Sequence, residues 1–446
     1  MRPTILVAGI LNTKGPEIKY LAERVEAAGG TPCVMECSLG EEMREYDWVD
    51  YHSSDVLREI GMTPEKLSTL KREPACEAMI EAGTKLVSRL VDEKKIHGII
   101  GYAGGVGMTI ISAIMRELPV GLPKLMCSTA VGVKANASFG TKDLCMMFPI
   151  FEAGLNKVSR RIINNAAFGI VGMAKGSFAD LGVEERPGIA MMMQGVTTPC
   201  ILRCAAELEE AGYDIMLGHA TGDGGHAIED LVAQGEIAGF LDLTTHEMIS
   251  EVYDFISNPG PDRMRNAIRK GIPQVISTGG LELLMFVGRP LTPQLEKEMA
   301  EHVPGRGSYV HAPDAMLHIT GCSREEAEYL GRVFGERLSP AAAPTAVLLP
   351  MRGWSSADCV TEEGPSPLWI PSESDPVRSG RSEAFLAGLT ATIDQDNPWI
   401  EVYEVDHNLN DPEFADLAAE LMREMLDGTW VRGGKAAVPA VHQVIG

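Results

Sequence analysis

No stretch of this 446-residue chain approaches the ~20 consecutive apolar residues that a bilayer span requires, so no membrane-spanning helix is expected. Positive charge is also scarce. There are 39 Lys and Arg against 62 Asp and Glu, a net charge of −23. Such a charge repels a phosphate backbone at long range, which argues against a nucleic-acid partner. It leaves room for a small anion, because backbone N–H groups at a helix start can hold one without Lys or Arg. The nine cysteines are odd in number and scattered; Cys33 and Cys37, like Cys200 and Cys204, stand four apart with no matching pair to complete a zinc site. Reduced thiols and a cytoplasmic location are the expectation. Met1-Arg2-Pro3-Thr4 runs straight into a short apolar strand, without the length of a secretion signal. Also missing are a Walker A lysine, the dinucleotide GxGxxG spacing, an HExxH pair and a nucleophile elbow, so the sequence displays binding features but no recognisable reaction centre.

What is present is the balance of a globular protein, 45% hydrophobic and 23% charged, at a length suited to two or three domains. Residues 5–8 are apolar and end at Gly9; a polar loop, Asn12-Thr13-Lys14-Gly15-Pro16, leads into an amphipathic stretch over 17–28. Gly29-Gly30 stops that helix and residues 32–36 read as the next strand, giving a βαβ unit and a parallel sheet. The pattern restarts at residues 189–193, with a loop at Val196-Thr197-Thr198-Pro199 and a helix over 200–211. Gly121-Leu122-Pro123-Lys124-Leu125 has an echo in Gly271-Ile272-Pro273-Gln274-Val275. These repeats imply two lobes of related α/β architecture, 1–184 and 185–446, divided where charge, Gly and Pro cluster at 182–187. Residues 361–381, rich in Ser, Pro and Glu, read as a long surface loop.

The sharpest segment is Gly101-Tyr102-Ala103-Gly104-Gly105-Val106-Gly107, between an apolar strand and a helix opened by Met108-Thr109. Glycines there let a ligand approach the backbone, and the helix start offers free N–H groups and a favourable dipole for a phosphate. In the second half, His219-Ala220-Thr221-Gly222-Asp223-Gly224-Gly225-His226 reads as the matching loop. Two such loops suggest a ligand held in a cleft between the lobes, at the carboxyl ends of the strands. Thr13 and Lys14, Ser128 and Thr129, Thr197 and Thr198, Thr244 and Thr245, and Thr278 with Gly279 place hydroxyls and glycine at further strand ends. Asp223 is a candidate for a cation or a sugar hydroxyl, and Arg352, after an apolar strand, for a phosphate or carboxylate. The spacing of His219, His226 and His246 matches no transition-metal frame, so no metal site is assigned.

The same segments resemble those of the Tm-one-like ATP-binding domain family. They run from Thr13-Lys14 and Gly104-Gly105 through Pro123-Lys124, Gly140-Thr141-Lys142-Asp143 and Gly154-Leu155-Asn156. They continue through Gly195-Val196-Thr197-Thr198-Pro199-Cys200, His219-Ala220-Thr221-Gly222, Asp242-Leu243-Thr244-Thr245 and Leu349-Pro350-Met351-Arg352-Gly353. The resemblance implies two Rossmann-like doubly wound subdomains, ATP as the bound nucleotide, and a homodimer, with Mg²⁺ as the cation that Asp223 could hold beside the nucleotide. It also implies a TIM-barrel partner of the phosphoenolpyruvate-mutase type. The activity expected is that of an ATP-dependent enzyme, ligase or kinase-like, acting on an organic acid or sugar-derived metabolite. The alternatives are a nucleotide-responsive binding module, or an isomerase or lyase without ATP.

Overall fold

The computed structural model describes residues 2–39, 46–131, 140, 142–177, 182, 184–253, 258–287, 308–310, 317–366 and 368–446. Thr141, named above, lies outside them. The chain divides into two compact units, Met1–Val183 and Glu184–Gly446.

The first unit is built on five parallel strands: β1 (Thr4–Gly9), β2 (Thr31–Glu36), β3 (Ile99–Ala103), β4 (Lys124–Ser128) and β5 (Leu144–Met147). Their order is β2-β1-β3-β4-β5. Side chains alternate faces along a strand, and both faces of a parallel sheet must be covered. Leu6 and Ala8 of β1 accordingly join one core with the helices Arg72–Asp92 and Gly105–Arg116. Ile5 and Val7 join the opposite core with Leu11–Ala27 and Lys157–Gly176. The last of these helices starts on Asn156, whose Oδ1 accepts from the N–H of Val158 and Ser159 at 2.8 and 3.0 Å. Because β2 and β3 flank β1 on opposite sides, the chain reverses its winding direction between β1 and β3. In doubly wound sheets ligands bind at the carboxyl ends of the strands on either side of that reversal.

Residues 12–16 differ in detail from the loop expected. Helix begins at Leu11, breaks at Lys14 (φ −130°, ψ 16°) and resumes through Pro16. Pro16 supplies no N–H to the turn that starts at Leu11, and the break falls at Lys14, one residue ahead of Gly15-Pro16.

The second unit carries a seven-stranded sheet, with strands β6 (Gly188–Met193), β7 (Asp214–His219), β8 (Gly239–Asp242) and β9 (Gln274–Ile276) in its first part. A three-stranded antiparallel sheet interrupts it, made of β10 (Leu283–Val287), β11 (Ser308–Val310) and β12 (Leu317–Gly321). Then come β13 (Thr345–Pro350), a short ribbon of β14 (Val360–Thr361) and β15 (Gly364–Pro365), β16 (Ile400–Val405) and β17 (Val441–Ile445). The large sheet has the order β17-β16-β13-β9-β8-β6-β7, parallel except for β17. Each unit is thus a Rossmann-like α/β sandwich, and β7-β6-β8-β9 repeats the order β2-β1-β3-β4. The two Pro-containing echoes open β4 and β9, equivalent strands in the two orders.

The presumed surface loop at 361–381 is not wholly superficial. Ser372, Ser379 and Arg381 are buried, and the Arg381 guanidinium donates to the Cys322 carbonyl at 2.8 Å and to Asp358 at 2.6 Å. Polar composition pointed outward, but a buried cation with a carboxylate partner satisfies the interior equally well. Among the described residues no helix is long and apolar enough to cross a membrane.

Candidate functional site

At the carboxyl ends of β1 and β3 the first unit has a pocket of about 620 Å³. Its floor is the turn Gly104-Gly105-Val106-Gly107, where the helix Gly105–Arg116 begins. Gly104 caps that helix without a side-chain hydrogen bond, and its first turn has no acidic residue. Among the described residues, the N–H groups of Gly105, Val106 and Gly107 have no acceptor. Free N–H groups and the positive dipole end together favour an anion.

The break at Lys14 turns its side chain inward, leaving it only 4% exposed at the pocket wall. Its Nζ lies 3.4 Å from Glu152 Oε1. The other Glu152 oxygen accepts from the Thr129 hydroxyl. That hydrogen bond, reinforced by the charge of Lys14, holds the Glu152 carboxyl below the usual carboxylate range. Glu152 Oε1 also lies 2.8 Å from where a Cβ on Gly104 would stand. A carboxylate of the protein therefore stands beside both the lysine and the glycine that caps the helix. Its loop is fastened by buried Glu17, which accepts from the Gly154 N–H at 2.6 Å.

Of the candidates drawn from the sequence, this pocket gathers Thr13, Lys14, Gly104, Gly105 and Gly107, with Thr129 attached through Glu152. Ser128 is buried and accepts from the Ala130 N–H at 3.1 Å. Thr109 turns back to donate to the Gly105 carbonyl at 3.1 Å. Asn12, Arg72 and Glu152 line the pocket without having been singled out. Glu152 was detectable in principle, since it lies in the connection that follows a parallel strand. Arg72 carried no such signal, because it arrives from the start of a distant helix.

The glycines of this turn do different work. A Cβ on Gly107 would lie 2.5 Å from Ala103 Cβ and 2.8 Å from Ile10 Cγ1, whereas one on Gly105 meets nothing closer than 4.0 Å. Gly107→Ala should therefore cost about 1–3 kcal/mol of stability through overpacking. Gly105→Ala should be neutral or stabilising, by up to about 1 kcal/mol of helix propensity. Thermal melts of the two variants side by side check this; equal losses would contradict it.

The second unit arranges its candidates differently. The loop at 219–226 follows β7, the edge strand equivalent to β2, and so is not the counterpart of the loop after β3. Its amides are already occupied. The N–H groups of Gly222 and Gly225 both donate to Glu247 Oε1, the second at 3.1 Å. A Cβ on Gly225 would strike that carboxylate at 2.0 Å, and one on Gly224 would strike the His219 carbonyl oxygen at 1.9 Å. These glycines permit close packing within the unit. Asp223 and Thr221 are exposed, and the His226 ring packs against Gly260.

Glu247 belongs to a buried cluster about Arg263, which is fully enclosed. The guanidinium meets Asp242 with two bonds, one of them at 2.9 Å, Glu247 at 3.0 Å and Glu229 at 3.8 Å. Burial pushes the carboxyl of Glu229 up to about 7 and raises that of Glu247. Burial also opposes the charge on Arg263, yet the facing carboxylates outweigh it and hold the guanidinium protonated.

Thr197 and Thr244 bind each other at 2.8 Å, and Thr245 donates to the Ser277 carbonyl at 2.7 Å. Thr198 donates to the Gln194 carbonyl at 3.2 Å. The Gly279 N–H donates to the Leu243 carbonyl at 2.9 Å. Thr278 is buried and its hydroxyl has no partner among the described residues. Arg352 is engaged by Asp406 at 2.8 and 3.0 Å, an exposed ion pair. Among the described residues no group of three or more His, Cys, Asp or Glu is placed to hold a metal ion.

Comparison with known proteins places these features in context. A UPF0261 protein of Clostridium tetani is 33% identical over 429 residues, 96% of this chain and 100% of that one. Another, from Rhizobium meliloti, is 34% identical over 424 residues, 94% and 98% of the two chains. The ToMV resistance protein Tm-1(GCR237) of Solanum lycopersicum is 26% identical over 442 residues, covering 95% of this chain but 56% of the tomato protein. Among solved structures, the UDP-N-acetylglucosamine 2-epimerase from Rickettsia bellii aligns over 62% of this chain and 79% of that one at 10% identity. The TM-score of that pair is 0.20, too low to carry any argument. Residues 3–179 match the N-terminal domain, and residues 186–426 the C-terminal domain, of the uncharacterised protein family UPF0261, and the chain belongs to that family.

Proposed function

We propose that this protein binds ATP, with the phosphates held in the first unit at the carboxyl ends of β1 and β3, and uses it in small-molecule metabolism. One observation carries most of this reading: the buried ammonium of Lys14 stands beside an uncapped helix start in a pocket of about 620 Å³. That volume falls within the roughly 300–1,000 Å³ of small-molecule sites. The Glu152 carboxylate already resting there supports an anion as the occupant.

The residues present fit the group. Gly105, Val106 and Gly107 would give N–H bonds to phosphate oxygens and Lys14 a positive charge. Glu152 and Thr129 are hard oxygen donors of the kind Mg²⁺ takes alongside phosphate. Bound ATP would supply an activated phosphoryl or adenylyl group, and a substrate of the organic-acid or sugar-derived class would receive it, as in a ligase or kinase. A homodimer and a TIM-barrel partner belong to the same proposal and rest on the family resemblance alone. A second reading, a nucleotide-responsive binding module without turnover, draws on the likeness to a protein named for ToMV resistance. Release of ADP or AMP on incubation with candidate substrates separates the two.

Calorimetric titration of the full chain tests the binding. ATP should bind saturably, and Lys14→Met should weaken it at least tenfold, or about 1.4 kcal/mol. Glu152→Gln should tighten metal-free ATP several-fold, because the internal competitor loses its charge. A titration without saturable heat, with or without Mg²⁺, or a Lys14→Met variant that binds as well as the parent, would refute the assignment.

A further inference from the structure

In the second unit the winding reverses between β6 and β8, as it does between β1 and β3 in the first. Three side groups meet at the carboxyl ends of the adjacent strands β6, β8 and β9: Gln194, His246 and the Gly279-Gly280 turn. All of them are buried. His246 Nδ1 lies 2.8 Å from the Gly280 carbonyl. A carbonyl only accepts, so Nδ1 carries the proton and Nε2 presents a lone pair. That Nε2 is buried and has no partner among the described residues.

Gln194 repeats the situation. Its Nε2 faces the Met285 thioether at 3.7 Å, a group that can only accept, and this leaves Oε1 as a second acceptor. Oε1 too is buried without a partner among the described residues. The two groups flank the same glycine. A Cβ on Gly280 would stand 2.7 Å from Gln194 Oε1 and 3.4 Å from His246 Cβ. Gly280 has φ +68°, a conformation that favours glycine, so the turn that brings them together has no side chain of its own. Unsatisfied buried acceptors are rare, and each costs about 1–3 kcal/mol of desolvation unless something donates to it.

We propose that this crest of the second sheet is a separate binding site for a neutral, hydroxyl-bearing small molecule, a sugar or polyol, with Gln194 Oε1 and His246 Nε2 as its hydrogen-bond acceptors. The acceptor pattern selects the class. Phosphate and carboxylate offer acceptors to acceptors and are disfavoured. The carboxylates at and after the end of β8, Asp242 and Glu247, are committed to Arg263, which leaves neither of them free for a cation. A hydroxyl donates to each acceptor at no cost in charge. The site does not depend on the nucleotide reading, because none of its residues belongs to the Lys14 pocket.

The test uses the full chain with ¹⁵N-labelled histidine and four probes: glycerol, myo-inositol, D-glucose and inorganic phosphate. His246→Gln identifies the His246 resonances. A saturable shift of the Nε2 resonance with myo-inositol or D-glucose is expected, with Nδ1 still protonated. Gln194→Met should weaken that response at least tenfold, and Lys14→Met should leave it unchanged. Should Gln194→Met fail to fold, Gln194→Leu gives the same reading. A resonance moved by no probe would mean that a buried water satisfies the acceptors, and one moved by phosphate alone would mean an anion site; either outcome overturns the proposal.

Discussion

Arg263→Leu should lower the free energy of unfolding by about 3–5 kcal/mol at pH 7, the range for removing one partner of a buried ion pair. The guanidinium is enclosed and faces three buried carboxylates, Asp242, Glu247 and Glu229. Leucine fills part of the volume but leaves three acidic groups with no cation between them. The consequences extend to the Gly222–Gly225 turn, because Glu247 is oriented by Arg263 while it holds those two amides. The sign of the pH dependence follows from the same geometry. Without Arg263, burial raises the folded-state pKa of Glu229 and Glu247 further above the unfolded value. The folded variant then retains protons that the unfolded chain has released, and its stability falls as pH rises. The deficit should therefore be largest near pH 8 and shrink towards pH 5. Urea denaturation of variant and parent at pH 5, 7 and 8 measures it. A loss under about 1 kcal/mol that does not vary with pH would mean that the cluster contributes little.

Glu282→Gln should do the reverse and stabilise the protein at alkaline pH. Glu282 is fully buried, with one oxygen accepting from the Ser355 hydroxyl and the other without a partner among the described residues. Burial, then the nearby charge of Asp358, pushes its carboxyl up to about 8. Burial also raises Asp358, but Arg381 pairs with it at 2.6 Å and keeps it the better anion of the two. Glu282 is therefore the protonated member at neutral pH. Unfolded, the group titrates near its ordinary 4.5. Between those values the folded state holds a proton that the unfolded state lacks, so its contribution is fully present below about 4.5 and is lost as pH rises through 8. Each pH unit in that window is worth about 1.4 kcal/mol, and the whole window is on the order of 5 kcal/mol. Glutamine keeps the shape and cannot ionise, so the variant should match the parent at pH 4.5 and exceed it by several kcal/mol at pH 9. Parallel melting curves with equal pH slopes would rule this out.

Much of the architecture could be read directly from residue order. The apolar run at 5–8, the glycine stop at 29–30 and the restart at 189 describe periodicity and chain reversal, which are local properties. Pro123 and Pro273 mark equivalent strands because each opens a strand in the same position of a repeated order. The pairing of the two glycine loops did not hold in the same way. Glycine signals that something comes close to the backbone without saying what. At Gly104 the neighbour is the carboxylate of Glu152, in a pocket open to a ligand; at Gly224 it is the backbone of His219, and at Gly225 the buried carboxylate of Glu247. The loop occupying the post-β3 position in the second unit is Leu243-Thr244-Thr245-His246-Glu247, which contains no glycine.

By itself, the order of residues determined two α/β units with parallel sheets, the helices that flank them, and a glycine-rich turn at the helix start at 104–107, since each depends on neighbours a few positions apart. Which strand lies beside which was decided only in three dimensions. So were the closeness of Lys14 to Glu152 across 138 positions and the gathering of Gln194, His246 and Gly280. The reason is physical: buried charges and unsatisfied acceptors draw their partners from whatever the packed sheet brings near, and separation along the chain has no bearing on that choice.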